Sequence, residues 1–399
     1  MKTKCITTLL TALALAWTAH AQLNIPSDGS DGDLIVTEDT VIDLGEATAG
    51  QWDANNSARR SKGVYDASKW AVVFKYRSVR IAGKTNEQGQ LVGATLKFKN
   101  HPTYAPVVWL VQEGVTIDGV VWLQGEDSRF GAAAALIPSE PGPGGFRGGV
   151  EGPSGRGTGS GPGAGAAQGP NGWMLGSYAS FYGNPRILPL IGGSPSYLGF
   201  GGGGGAAGGG AILIAATGEV KLTGRIDADG GGISGFPQAA AGGAIRIVAG
   251  SVSGAGELTA LRDGRIRIEA GSLASTLRIS PETIAVPPSQ TPVLWPPNNA
   301  PTSRILSVDQ VVAPVDPTAP LLAQADIPIQ NDNPVVIIVE TRNFPLEGVV
   351  EVRVAEKFGG ARWERTTRVE GGSRDVSTWQ VSTRLAKGFT TLQVRATAP

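Results

Sequence analysis

Short apolar stretches recur along the chain with a fixed internal rhythm. Val108-Trp109-Leu110 is followed by Val115-Thr116-Ile117-Asp118-Gly119, then Val121 and Gly125. Ile212-Leu213-Ile214 is followed by Val220-Lys221-Leu222-Thr223-Gly224, then Ile226 and Asp229-Gly230. Ile245-Arg246-Ile247 leads to Val252, Gly256, Leu258 and Asp263-Gly264, and Ile266-Arg267-Ile268 leads to Leu273. The first two apolar blocks of each copy start 7, 8, 7 and 7 residues apart, and the last two copies begin 21 residues apart. Isoleucines at i and i+2 share one face of a strand, so the arginines between them are predicted to face water. A unit of about 20 residues with three short strands and glycine corners cannot bury its apolar side alone. Stacked at about 4.8 Å per rung, such units form a parallel β-solenoid whose core is made by the stacking.

Upstream, Leu34 to Leu44, Val72 to Tyr76, Ser78 to Ala82 and Ala94 to Lys99 read as the strands of earlier coils. The solenoid is expected over residues 22–280, with roughly eight coils and a length of about 35–40 Å. The pattern breaks after Gly125, resumes near Ala211, breaks again after Gly230 and resumes at Ala244. Both breaks fall at one corner of the repeat, so the inserted chain is expected on one side, the default binding face.

Composition gives these insertions their character. Of 58 glycines, 37 lie in residues 131–250. The insertion at about 126–210 admits three readings: a flexible tether, an ordered glycine-packed lobe, or a loop that lets backbone approach a ligand. Phe146, Trp173, Tyr178, Phe181, Tyr182, Ile187, Leu188, Leu190, Ile191, Tyr197 and Phe200 favour partly ordered packing. The run Gly155-Arg156-Gly157-Thr158-Gly159 has neither the lysine nor the strand–helix setting of a phosphate loop.

Prolines at 281, 287, 288, 292, 296, 297 and 301 mark a spacer over residues 281–303. Alternating strands then resume over 304–399, at Val335–Thr341, Val349–Ala355, Ala361–Val369, Val376–Thr383 and Thr390–Arg395. They predict a small immunoglobulin-like β-sandwich without a disulfide, with Trp363 or Trp379 in its core. The expected fold is therefore all-β throughout.

Residues 1–21 read as an export signal. Lys2 and Lys4 precede an apolar run from Ile6 to Trp17, and Ala19-His20-Ala21 is a cleavage site before Gln22. That run is too short to span a bilayer, and no later stretch reads as a transmembrane segment. The 34 basic and 34 acidic residues balance, which argues against a nucleic-acid partner. Without the signal the chain has no cysteine and one histidine, His101. A multi-histidine zinc site is thereby excluded.

Candidate chemistry is sparse. His101 reads either as a general base or as a loop imidazole tied to backbone. Asp28, Asp31 and Asp33, spaced through glycines, are candidate ligands for Ca²⁺, or a solvated turn; no other cofactor is expected. Asp227, Asp229 and Asp263 lie at the loop-bearing corner and are candidate catalytic carboxylates, or simply Asp-Gly turns. Glu126, Asp127, Arg225 and Arg262 are candidate binding residues at the same corner, with Arg246, Arg265 and Arg267 nearby.

The stretches Ala211-Ile-Leu-Ile-Ala-Ala after its glycine run, and Gly242-Gly-Ala-Ile-Arg-Ile-Val-Ala, resemble glycine-rich secreted bacterial proteins of the right-handed parallel β-helix, pectin-lyase-like type. The resemblance covers residues 28–280 and implies that fold. Its members include polysaccharide lyases and hydrolases, and also adhesins without catalysis. No lyase or hydrolase motif matches here, so none of its catalytic residues is carried over. The expected function is adhesion or glycan binding at the cell surface or outside the cell, through the loop-bearing face. The alternative is a polysaccharide lyase or hydrolase using the solenoid carboxylates.

Overall fold

The structure is a computed structural model describing residues 23–54, 61–85, 91–129, 137–152, 155–156, 159–163, 183–196, 204–233, 240–317, 325–330, 332–357 and 360–399. The proposed signal, residues 1–21, lies outside these. Among the described residues the only helix is one 3-10 turn, Leu44–Glu46. Everything else regular is β-strand.

The repeated apolar blocks become three mostly parallel sheets. One sheet carries Ala71–Tyr76, Val107–Val111, Ala211–Ala216, Ala244–Ala249 and Arg265–Ala270, with Val64–Asp66 and Thr48–Ala49 at one end. We call it the second sheet. The first sheet pairs Asp33–Val36, Ser78–Ile81, Val115–Ile117, Glu219–Leu222 and Ser251–Ser253. The third pairs Thr40–Asp43, Thr95–Lys99, Val120–Trp122, Arg225–Asp227, Glu257–Thr259 and Arg278–Ser280. From residue 71 the chain visits second, first and third sheets in that order, again and again.

Register lines like residues up in rows. Val72, Val107, Ile212, Ile245 and Ile266 are successive partners, and so are Phe74, Trp109, Ile214, Ile247 and Ile268. Both rows belong to the main core, which also takes Ile81, Ile117, Leu222, Val121, Ile226 and Leu258. Each such side chain contributes about 1.5–3 kcal/mol on burial.

The second sheet is covered on its other face as well. Leu23 and Ile25 from the start of the described chain, Ile187 and Leu190 from the insertion, and Leu294 from the proline-rich stretch pack against Val73, Val108, Leu213 and Val248. Asn24 N–H donates to Gln290 O at 2.8 Å, and Trp52 meets Trp295 at 5.6 Å. This corrects one expectation. Arg246 does point outward, but it is 2% exposed, not in water. The proline-rich chain lies over it, and its guanidinium bonds Glu269 (2.8 Å) and Val293 O (2.8 Å).

The two glycine-rich connections, after Trp122 and after Asp227, leave the end of a third-sheet strand and return at a second-sheet strand. Where described, the largest is ordered, and its hydrogen bonds have a period of three. Gly204, Ala207 and Gly210 donate to the carbonyls of Arg129, Glu126 and Leu123; Gly205, Gly208 and Ala211 donate to those of Gly149, Phe146 and Pro143. One neighbour every three residues is the symmetry of a polyproline II helix. Such a helix makes no internal hydrogen bonds, so its backbone groups are paired with adjacent chains. Glycine permits the approach. A Cβ on Gly208 would lie 1.8 Å from Gly193 O, and one on Gly243 would lie 1.7 Å from Gly210 O. Trp173, Tyr178, Phe181, Tyr182, Tyr197 and Phe200 lie outside the described residues.

Residues 302–397 form two antiparallel sheets. One orders Val311–Val312, Thr302–Val308, Val335–Arg342, Val376–Thr383 and Thr367–Arg368; the other orders Ala361–Arg365, Val349–Glu356 and Thr390–Thr397. They share a core of Ile337, Val339, Val352, Val354, Phe344 and Trp379. Trp379 takes the core position, whereas Trp363 is half-buried beneath Arg395, 3.8 Å from its ring centre.

Candidate functional site

The third sheet holds the candidate residues because period two splits its strands cleanly. Leu96, Val121, Ile226 and Leu258 point into the core and are fully buried. Their neighbours point outward and align across strands. One outward row runs Trp122, Asp227, Thr259, Ser280, with Lys97 beside Trp122 and Val41 beyond it. The adjacent row runs Thr95, Val120, Arg225, Glu257, Arg278. Trp122 is 37% exposed, and Lys97 Nζ stands 5.4 Å from its ring centre. Val41 is 62% exposed. The outer row thus alternates apolar and charged groups, with Trp122 set between Lys97 and Asp227.

Asp227 and Asp229 do converge with an arginine. Arg225 Nη2 lies 3.0 Å from Asp227 Oδ2 and 3.4 Å from Asp229 Oδ2, and donates to Thr259 Oγ1 at 3.1 Å. The remaining oxygens are also held. Asp227 Oδ1 accepts from Asp229 N–H (3.0 Å) and the Thr259 hydroxyl (3.4 Å), and Asp229 Oδ1 accepts from Leu261 N–H (2.8 Å). Both carboxylates are 2% exposed. Burial raises the Asp229 pKa, against the Leu261 amide that lowers it. The arrangement staples two successive strands and their corner. A catalytic carboxylate needs a free oxygen within reach of substrate, and neither residue offers one as placed.

Asp263 stands apart. It and Arg262 form an exposed turn with φ of +55° and +59°. Arg265 and Arg267 are half-buried, and Arg267 pairs with Glu269 at 2.8 Å. Glu126 accepts from Arg129 (2.5 Å) and from Glu140 N–H (2.9 Å), and Asp127 accepts from Gly232 N–H (2.6 Å). Both anchor the glycine-rich insertion.

His101 is stacked on Tyr65, ring centres 3.9 Å apart. Its Nδ1 accepts from Thr103 N–H (3.2 Å) and meets the Thr103 hydroxyl (2.8 Å). Burial lowers its pKa. The Asp316 carboxylate acts on it in the opposite sense and accepts from the Tyr65 hydroxyl (2.5 Å), and the His101 hydrogen bonds are those of a loop imidazole tied to Thr103.

The three N-terminal aspartates serve different partners. Asp28 accepts from Ser30 N–H (3.0 Å) and Lys75 (3.3 Å), buried Asp31 accepts from Lys75 N–H (2.7 Å) and Gly63 N–H (3.3 Å), and Asp33 pairs with Arg77 and Ser78. Among the described residues no group of three or more His, Cys, Asp or Glu is placed to hold a metal ion.

The residues sequence reasoning passed over are Lys97 and Trp122. The signal was available: Trp122 follows inward Val121, so strand alternation alone puts a large aromatic outside. No family model matches the chain, and neither a curated protein nor a solved structure matches it.

Proposed function

We propose that the chain is an exported glycan-binding protein, a β-solenoid followed by a β-sandwich, that holds a saccharide on the outer face of the third sheet. The observation carrying this reading is Trp122, exposed on a regular strand between Lys97 and the Arg225–Asp227 pair. An indole offers a flat apolar surface to the C–H face of a sugar, and the flanking charges offer hydrogen bonds to its hydroxyls. Binding without turnover is supported by the full occupancy of the Asp227 and Asp229 oxygens. The cyclic order of the strands supports the solenoid, and the shared core of the two antiparallel sheets supports the sandwich. Export is supported by the residues 1–21 pattern, and mass spectrometry of secreted material should find Gln22 first.

The test is a point substitution. The insertion at 126–210 bonds to neighbouring chains throughout its described length, so deleting it would also disrupt the fold. Trp122→Ala removes only an outward ring. Titrated with a panel of soluble polysaccharides, the variant should bind at least tenfold more weakly, a loss of about 1.4 kcal/mol. Unchanged affinity defeats the proposal. Reducing ends or unsaturated products released by the unaltered protein would favour the lyase or hydrolase alternative, which the convergence of Asp227 and Asp229 on Arg225 keeps specific.

A further inference from the structure

Arg353 is an unusual cation. It lies on Val349–Glu356 and is 2% exposed, yet its hydrogen-bond partners are all neutral. Nη1 donates to Gly159 O (3.2 Å) and Gln393 Oε1 (3.0 Å), and Nη2 donates to Gly159 O (3.2 Å). No carboxylate pairs with it among the described residues. A buried guanidinium ordinarily takes an anionic partner, and burial here pulls its pKa down to about 10.

The surroundings sharpen the imbalance. Arg353 is flanked in register by Trp363 and Gln393, and the neighbouring row holds Glu351, Arg365 and Arg395. That face of the sheet carries three arginines and one carboxylate. The part of the glycine-rich insertion bonded to it adds no carboxylate, because residues 152–218 contain no Asp or Glu. Among the described residues the insertion meets Arg353 through Gly159, in the stretch Gly159-Ser160-Gly161-Pro162-Gly163, which has no large side chain. It is held by Gly161 N–H to Gln393 Oε1 (3.2 Å), Ser160 N–H to Arg147 O (3.2 Å) and Gly163 N–H to Ser194 Oγ (3.0 Å).

We propose that Arg353 is the centre of an oxyanion-binding latch between the glycine-rich insertion and the C-terminal sheets. An oxyanion with two free oxygens, such as a sulfate or phosphate group, matches the guanidinium fork and supplies the missing charge. It takes the place of the Gly159 carbonyl and lifts the glycine strap. The Gln393 amide, released from Gly161, remains beside it as a neutral contact.

The test uses the full exported chain titrated with sodium sulfate and with phosphate, ionic strength held constant with chloride, while hydrogen exchange is followed at Gly161 and Gly163. Saturable binding with faster exchange at both amides is expected. Arg353→Lys keeps the charge and loses the fork, so its affinity should fall at least tenfold. Gln393→Ala, which leaves the arginine and its Gly159 contact in place, should speed exchange at Gly161 without anion. A sulfated oligosaccharide binding at least tenfold tighter than inorganic sulfate assigns the anion to a glycan, and equal affinity assigns it to a free ion. Sulfate and phosphate effects no greater than that of chloride, or unaltered binding by Arg353→Lys, overturn the proposal.

Discussion

At the scale of single residues, the charged groups of the third sheet are best understood as a closed circuit. Arg225 neutralises two carboxylates that are almost wholly removed from water. Removing it strands both. Because Arg225 itself keeps 37% of its side-chain surface, the loss in Arg225→Met should sit near the low end for breaking a buried pair, about 2–3 kcal/mol at neutral pH. The loss should shrink in acid, where Asp229, whose pKa burial raises, takes up a proton and no longer needs the cation. Chemical denaturation at pH 7.5 and pH 4.5 checks this, and an equal loss at both would contradict it. Asp33 and Asp229 should also slope oppositely. The Arg77 and Ser78 hydrogen bonds hold Asp33 down to about 2, so its contribution is present above the ordinary carboxylate range and is lost as pH falls toward that value. Burial raises Asp229, so stability falls as pH rises through its folded value. Asp33→Asn should therefore lower the melting temperature near neutrality and leave it little changed at the acid end, which flattens the acid limb of the profile.

At the scale of elements, the strands were readable and the insertion was only partly so. Period-two alternation places Ile245, Ile247, Ile266 and Ile268 in the core from their spacing alone, and registers pairing Ile245 with Ile266 agree. The corners were readable too, since both long insertions leave after third-sheet strands. What spacing did not reveal is the period-three packing of the glycines. Glycine has no side chain to carry a pattern, so the regularity appears only as backbone donors meeting carbonyls of other segments. Nor did local sequence reveal that Arg246 is covered, because its cover comes from residue 293, 47 positions away. The candidate site divides similarly. Arg225, Asp227 and Asp229 were legible as a corner cluster, but their exhaustion by Thr259 and Leu261 depends on the neighbouring strand Glu257–Thr259 and the residues after it. The glycine packing makes a sharp prediction. Gly208→Ala and Gly243→Ala would drive a methyl carbon to within 2 Å of a backbone oxygen, so each should cost more than about 4 kcal/mol or abolish folding. Gly360→Ala, with nothing within 4 Å, should change stability by no more than about 0.5 kcal/mol. Thermal unfolding of the three variants side by side tests both statements.

At the scale of the molecule, the second sheet decides whether the parallel part is self-sufficient. Its outer face carries Val73, Val108, Leu213 and Val248, and covering segments keep them from water: Leu23 and Ile25 from before the parallel strands, Leu294 from after them. Its two edges are blocked as well. Val64–Asp66 runs antiparallel along Ala71–Tyr76 at one end. At the other, Val286 N–H donates to Ile268 O and Val286 O accepts from Ala270 N–H, each at 3.0 Å, covering part of the last strand. Unblocked parallel edges invite pairing between molecules. The proline-rich stretch therefore acts as part of the parallel body, and the position of a truncation matters more than its length. A chain ending at residue 300 keeps Val286 and Leu294 and should remain a soluble monomer, despite losing the Arg353–Gly159 contact. A chain ending at residue 280 exposes both the apolar face and the Arg265–Ala270 edge, and should aggregate. Size-exclusion chromatography with light scattering separates these outcomes. Equal solubility of the two truncations would show that the cover is dispensable.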